Sequence, residues 1–480
     1  MGVLSLKGFF KMDIAKLRQT AENAGQSQVF RFWDELDEAG KTQLAGQLAG
    51  LDFEELNDLA ADYVVKRPET AIPDDLAPAP FFPAHPRDEA EKAYYAKAVA
   101  AGEELLRAGR VCMLTVAGGQ GTRLGFDGPK GTYPIGPVSG RSLFGYFAGT
   151  IKAAQEKYGK PITWYLMTSV INDGPTRAFF RENNYFGLDP EKVMFFTQGS
   201  MPAFGRDGKL LLGAKDSLSL SPNGHGGTLL ALKTSGALAR MEKENCDVIS
   251  YFQVDNPLAP MIDPLFLGLH LLEGSEMSAI MLPKTNPYEK LGNFCVTGGR
   301  TQIIEYSDLP AELAESRNED GSLRFVAGSP AIHVISRDFV SRLTSGGRLQ
   351  LPWHRADKKV PYMDADGTLV KPEEPNAVKL ESFIFDALPL AAKTVILEGN
   401  REGMFAPTKN STGVDSAESC REMLLERDAR VLESAGFAVR KADGSRIADI
   451  ELAPEYAVNP ELLRKFAGRT ITEGAREVWE

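Results

Sequence analysis

Cysteine and histidine are scarce, at four and five in 480 residues. Cys112, Cys246, Cys295 and Cys420 include no CxxC pair, which excludes the common zinc spacings and leaves no disulfide framework. The histidines are scattered and offer no metal cluster, and no nucleophile–base pair is legible. No apolar run reaches 18 residues, and the N-terminus lacks the charged, apolar and small-residue series of a secretory signal. Positive charge is also short: 54 Lys and Arg stand against 65 Asp and Glu, for a net charge of −11. A generic nucleic-acid surface, which needs a basic face, is therefore excluded. The expectation is a reduced, soluble, cytoplasmic protein with no nucleic-acid or membrane partner. Any anion it binds is held by a few placed cations and backbone N–H groups.

Hydrophobic content of 43% and charged content of 25% are those of a globular protein, and the length asks for two or three domains. Residues 12–66 read as helical, with Val29, Phe30, Trp33 and Leu36 at helical spacing. The stretch "RPETAIPDDLAPAPFFPAHPRD" carries six prolines and reads as an extended strap, anchored on the next domain by Phe81 and Phe82. The helix "EAEKAYYAKAVAAGEELLRAG" follows. From Val111 onward the apolar strands "VCMLTVAG", "ITWYLMTS", "KVMFFTQG", "DVISYFQVD" and "EMSAIMLPK" alternate with amphipathic segments. That alternation predicts an α/β fold, with a parallel or mixed sheet covered on both faces. Ligands of such sheets sit beyond the carboxyl ends of the strands, which places "AGGQGTRLG", "TQG" and "VDN" at one edge. The expected division is a helical region with its strap at 1–108, a catalytic domain at 109–410 and a small strand-rich domain ending in a helix at 411–480.

The glycine-rich stretch "LTVAGGQGTRLGFDGPKGTYPI" fails both common phosphate-loop patterns. From Gly119 and Gly121 the third glycine of a dinucleotide fingerprint is replaced by Leu124, and Lys130 follows Pro129 rather than the glycine of a Walker loop. What remains is a strand entering a tight turn. There Gly118 and Gly119 let backbone approach a ring closely, and successive N–H groups form an anion-binding concavity. Arg123 and Lys130 add two positive charges, a set that suits a triphosphate whose leaving pyrophosphate gathers negative charge.

This stretch resembles the signature of the eukaryotic-type UDP-sugar pyrophosphorylases, most closely the UDP-N-acetylhexosamine branch. The likeness continues in order through "YFGLDPEKVMFFTQGSMPA", "SPNGHGGTLLAL", "VDNPLAPMIDPLFLG", "KTNPYEKLG", "IIEYSDL", "VPYMDADGTLVKPEEPNAVKLESFIFDALPLA" and "FAPTKNS". It implies a Rossmann-like nucleotidyltransferase core of the GT-A type. The implied reaction joins UTP and a sugar 1-phosphate, most closely N-acetylglucosamine 1-phosphate, to give a UDP-sugar and pyrophosphate. By resemblance Val116, Ala117, Gly118, Gly119 and Gln198 hold the uracil, with Gly224 packed under the nucleotide. Arg123, Lys130, Lys379 and Lys409 neutralise phosphates, Lys130 and Lys379 on the nucleotide and Lys409 toward the sugar phosphate. Asp255 binds Mg2+, with Mn2+ as the substitute, and also counts among the nucleotide contacts. Glu305, Tyr306, His225 and Ser329 contact the sugar. The oligomeric state is left open.

Two departures mark the sugar half. His225 stands in "PNGHGG" where the family has asparagine, and Val326, Ser329 and Ile332 stand in "FVAGSPAIH" where asparagines are typical. A shorter hydroxyl at Ser329 loses an amide contact unless water bridges it. Glucose, galactose or GalNAc 1-phosphate and broad specificity therefore remain alternatives. A silent nucleotide-sugar binder is a further alternative, which retention of five charged groups argues against. A hydride-transfer Rossmann enzyme is disfavoured by the failed fingerprint.

Overall fold

The computed structural model describes residues 13–67 and 72–480; Pro68, the first proline of the strap, and residue 12 lie outside the described residues. The chain forms two compact units, each assembled from separated segments. The smaller comprises Met1–Ala71, Gly199–Gly227 and Leu351–Phe383, and the larger Ile72–Gln198, Thr228–Gln350 and Ile384–Glu480. This grouping cuts across the consecutive division expected from the sequence. The N-terminal helices bury their apolar sides against strands drawn from the middle of the chain, including Phe204, Leu210, Val378 and Leu380.

In the smaller unit the helices Ile14–Asn23, Glu38–Ala49 and Phe53–Leu59 begin at Asp13, Asp37 and Asp52, whose carboxylates accept backbone N–H bonds at the helix start. The periodic run from Val29 to Leu36 is not an α-helix. It forms two 3-10 turns, Ser27–Phe30 and Trp33–Glu35, because tertiary packing of the two aromatics into the core overrides the local pattern.

The larger unit is built on a mixed sheet. Val111–Val116, Trp164–Thr168, Val193–Thr197 and Val248–Gln253 run parallel, with Val248 beside Val111, then Trp164, then Val193. Val111–Val116, Trp164–Thr168 and Val248–Gln253 are almost continuously buried, as central parallel strands are, while Val193–Thr197 at the edge is buried only in part. His333–Ser336 runs antiparallel between Val248–Gln253 and Met277–Pro283. Beyond it lie Ala327–Ser329, Gly292–Thr297 and Arg300–Ile304. The proline strap adds a short edge strand, Ala77–Pro78, and Phe82 donates its N–H to Ile396 and accepts from Glu398 N–H.

Two helices on one face meet at backbone distance. A Cβ at Gly102 would lie 1.9 Å from the Pro264 carbonyl oxygen, and one at Gly268 would lie 1.7 Å from that of Ala98. Only glycine permits this contact between Glu89–Arg107 and Pro264–Leu272. The C-terminal region opens with the helix Ala417–Ser434 and carries two short parallel strands, Asp449–Leu452 and Arg476–Trp479. It ends on a strand rather than a helix, and its own apolar cluster includes Leu432, Ile450, Tyr456 and Trp479. Among the described residues no helix is long and apolar enough to cross a membrane.

His270 is buried beneath the sheet, its ring nitrogens 2.8 and 3.0 Å from the hydroxyls of Ser278 and Ser336. Burial pushes its pKa from the ordinary 6.5 down to about 4, against the opposing charge of Asp247. The folded state therefore holds the neutral ring while the unfolded chain binds a proton below pH 6.5. Stability is fully present above pH 6.5 and falls as pH drops toward about 4, by on the order of 3 kcal/mol for this group. Chemical denaturation across pH 4–7 should show this slope, and His270→Gln should remove about one proton's worth of it.

Candidate functional site

In the larger unit the site begins where the Val111 strand ends. Ala117 donates its N–H to Met167 O at 2.8 Å, and the chain then turns through Gly118 and Gly119. The loop closes on itself: Gly121 N–H reaches Gly128 O at 2.9 Å, and Lys130 N–H reaches Gly119 O at 3.1 Å. Gly125, in the left-handed region at φ +70°, ends the Thr122–Leu124 turn. A Cβ at Gly118 would lie 3.2 Å from Gln198 Oε1, so that amide sits directly beside the turn. Arg123 is exposed on the outer turn of the loop.

Asn172 was not among the residues singled out from sequence. It is fully buried, donates to the carbonyls of Ala117 (2.9 Å) and Gly119 (3.2 Å), and accepts from Ser169 N–H at 2.8 Å. It thus holds both sides of the glycine turn with one side chain. Its only sequence signal is its place just after an apolar strand, in "SVIND".

Lys130 returns from this loop to the end of the neighbouring strand. Its Nζ is 3.4 Å from Asp255 Oδ2, with both side chains largely shielded from water. Val254 N–H bonds Val116 O, which keeps the two strand ends in register. Asn256 clamps the crossing segment: its Oδ1 accepts from Ala406 N–H, and its Nδ2 donates to Met404 O. Thr408 N–H then bonds Asp255 O at 2.9 Å, so Lys409 follows directly after a residue tied to Asp255. Asp415, also missed in the sequence reading, accepts through its backbone carbonyl from the N–H groups of Lys409 and Asn410. Burial pushes its carboxyl pKa up, Lys409 opposing and Asp255 adding. The structure therefore brings Lys130, Asp255 and Lys409 together, with Asp415 as a second carboxylate.

Of the residues expected at the sugar, Glu305, Tyr306 and Ser329 lie at the antiparallel end of the sheet, whereas His225 belongs to the smaller unit. Ser329 pairs with Gly292, and a Cβ at Gly292 would lie 3.4 Å from Glu305 Oε1. Glu305 and Ser329 thus flank one glycine, with the half-exposed Tyr306 next in chain. The Ser329 hydroxyl accepts weakly from Ala331 N–H at 3.4 Å, and Ala331 holds the left-handed φ of +59°, strained for a residue with a Cβ. Ile332 packs in the apolar core and Lys284 is buried against Asn293, 2.5 Å from its Oδ1.

In the smaller unit "PNGHGG" packs on the end of the strand Ala377–Glu381. Gly224 has φ +84°, and a Cβ there would lie 2.3 Å from Ser382 O; one at Gly226 would lie 2.7 Å from the carbonyl carbon of Ser382. Both glycines are therefore required by backbone-to-backbone approach. His225 stacks on Phe383 at 5.3 Å, and His354 packs on the same ring at 4.4 Å. Burial, and then the neighbouring His354, hold the His225 pKa down at about 4, so the ring is neutral at physiological pH. Lys379 lies on the opposite side of its strand from the buried Val378 and Leu380.

A glycine turn thus stands beside an amide, and a lysine–carboxylate pair lies beyond the ends of two adjacent parallel strands. A family profile described as UTP–glucose-1-phosphate uridylyltransferase matches residues 85–470, and the chain belongs to that family. UDP-N-acetylhexosamine pyrophosphorylase-like protein 1 of Homo sapiens is 35% identical over 459 residues, covering 93% of this chain and 90% of that one. The UDP-N-acetylglucosamine pyrophosphorylase of Saccharomyces cerevisiae is 33% identical over 475 residues, covering 95% and 97%. The crystal structure of the Trypanosoma brucei uridine diphosphate N-acetylglucosamine pyrophosphorylase in complex with inhibitor has the same fold, with a TM-score of 0.81 at 24% identity over 99% of both chains.

Asn172→Ala should cost about 1–3 kcal/mol, since it strips partners from buried backbone groups on both sides of the turn. Urea denaturation measures that loss, and a raised KM for UTP should accompany it.

Proposed function

We propose that this enzyme transfers the uridylyl group of UTP to N-acetylglucosamine 1-phosphate, forming the UDP-sugar and releasing pyrophosphate. The observation that carries the reading is the Lys130–Asp255 pair at 3.4 Å, beside the glycine turn and tied through Thr408 to Lys409. A phosphate oxygen of the sugar 1-phosphate attacks the α-phosphorus as the bond to the β-bridging oxygen breaks, and the electron pair leaves with pyrophosphate. The attacking oxygen is already ionised, so no general base is needed; positioning and charge neutralisation do the catalysis.

In this reading Val116 to Gly119 and Gln198 hold the uracil, the amide matching both its donor and acceptor edges. Lys130 and Arg123 neutralise the departing phosphates, and Lys409 the attacking one. Glu305 and Tyr306 meet the sugar hydroxyls, with Ser329 nearby. Lys379, Gly224 and His225 keep the phosphate, nucleotide and sugar roles that the resemblance assigns them. Asp255 fits Mg2+, or Mn2+, because such an ion takes one or two carboxylates and fills its other positions with phosphate oxygens and water. When bound, the ion neutralises phosphate charge. The four cysteines are buried free thiols, in keeping with a cytoplasmic location.

A second reading, a non-acetylated sugar, is favoured by the sugar strand itself. The Ser329 hydroxyl is short and turned toward Ala331 N–H, so it reaches less far than an amide toward an acetamido group.

Pyrophosphate release from UTP and Mg2+ is the test, run with GlcNAc-, GalNAc-, glucose- and galactose-1-phosphate. GlcNAc 1-phosphate should give the fastest release, and no release should occur without sugar. Glucose or galactose 1-phosphate in first place would move the assignment to the second reading; UTP binding with no release from any sugar would overturn both. Lys130→Ala should lower kcat by roughly 10²–10³, the scale of one placed electrostatic group.

A further inference from the structure

The segment that follows Lys130 is held by the far end of the chain. Tyr133 N–H bonds Lys130 O at 3.0 Å, and Leu143 N–H bonds Tyr133 O at 3.2 Å. Between them the chain makes a narrow loop, with the N–H groups of Ile135 and Gly136 both on Arg141 O. Into this loop projects Glu451, from the strand Asp449–Leu452. Its Oε2 accepts from the N–H groups of Val138 (2.8 Å) and Ser139 (2.7 Å), and its Oε1 from the hydroxyls of Ser139 and Tyr146, both at 2.6 Å. Four donors thus occupy a carboxylate that has about four acceptor sites.

The fit is close on every side. Glu451 is fully buried, and a Cβ at Gly136 would lie 2.8 Å from its Oε1. Burial pushes the carboxyl pKa up, but the bonds from Ser139, Tyr146 and Val138 outweigh it and hold the group below its ordinary value, so it is ionised. Two arginines of the same C-terminal region reinforce the grip: Arg421 donates to Pro134 O at 2.7 Å and Arg476 to Pro137 O at 2.6 Å. On the Lys130 side the play is small, since a Cβ at Gly131 would lie 2.1 Å from the ring of Phe144. A shift of the 133–142 loop therefore passes into the backbone of Lys130.

We propose that Glu451 is a positioning residue for the transfer reaction: by anchoring the 136–141 turn it fixes where Lys130 presents its ammonium to the reacting phosphates. The inference rests on the proposed role of Lys130. It gives the C-terminal region a part in catalysis although Glu451 itself touches no reacting atom. A carboxylate is required because an amide has one acceptor atom where two pairs of donors converge.

Glu451→Gln preserves shape and is the first variant to test. kcat should fall roughly tenfold, about the loss of one charge-assisted hydrogen bond, with the KM for UTP changed less than kcat. Amide exchange should quicken across residues 133–143 and not in the Val111 or Val248 strands. In a Lys130→Ala background Glu451→Gln should add nothing further to the loss of kcat. Equal kcat in the single variant, or effects that multiply in the double variant, would overturn the inference. If Glu451→Gln fails to fold, the Ser139→Ala, Tyr146→Phe double variant decides by the same cycle. Wild-type protein that releases no pyrophosphate with any sugar would instead sink the parent reading, and the exchange experiment would still report whether Glu451 holds the turn.

Discussion

The parallel pairing of Val111–Val116 with Val248–Gln253 is the constraint on which the rest depends. In register from Val248 opposite Val111 to Gln253 opposite Val116, the two strands deliver their following residues to one place. One strand supplies the glycine turn and, twelve residues later, Lys130. The other supplies Asp255 two residues past its end. Parallel strands have all their carboxyl ends at one edge of the sheet, so groups distant in sequence converge there without any long-range contact having to be built for the purpose.

Convergence alone would leave a mobile loop. Three polar clamps remove that freedom, each using one buried side chain to satisfy several backbone groups. Asn172 fixes the glycine turn, Asn256 fixes the chain that carries Lys409, and Glu451 fixes the exit from Lys130. Each of these three side chains has partners for its polar atoms, which is the condition under which such a clamp rigidifies rather than weakens a fold. Close glycine approaches do the same for backbone, at Gly131 over Phe144 and at Gly224 over Ser382. For the transfer proposed above, which needs placement rather than proton transfer, such rigidity is what the protein can contribute.

Much of this was legible in the chain. The strands were recoverable because parallel strands buried on both faces are nearly continuous runs of apolar residues, as "VCMLTV" and "VISYFQ" are. The glycine turn and Asp255 were legible because each sits within two residues of such a run, and Lys130 because it closes the same glycine-rich stretch. The helix reading of Val29 to Leu36 failed because helical spacing of apolar residues is also what two 3-10 turns around buried aromatics produce. Asn172 and Glu451 escaped notice because each acts through partners far along the chain: Asn172 bonds carbonyls more than fifty positions away, and Glu451 lies about three hundred positions from the turn it holds.

The amino-acid sequence by itself determined the α/β class and the family, because apolar runs and glycine turns are local properties written in consecutive residues. Only the tertiary structure decided that the N-terminal helices share a core with strands from residues 200–222 and 351–383, that the His225 ring is stacked on Phe383 and its pKa held down, and that the C-terminal region grips the segment following Lys130. Those facts depend on which surfaces meet and which buried polar atoms find partners. Such matches are settled by packing across the whole chain, and no window of neighbouring residues contains them.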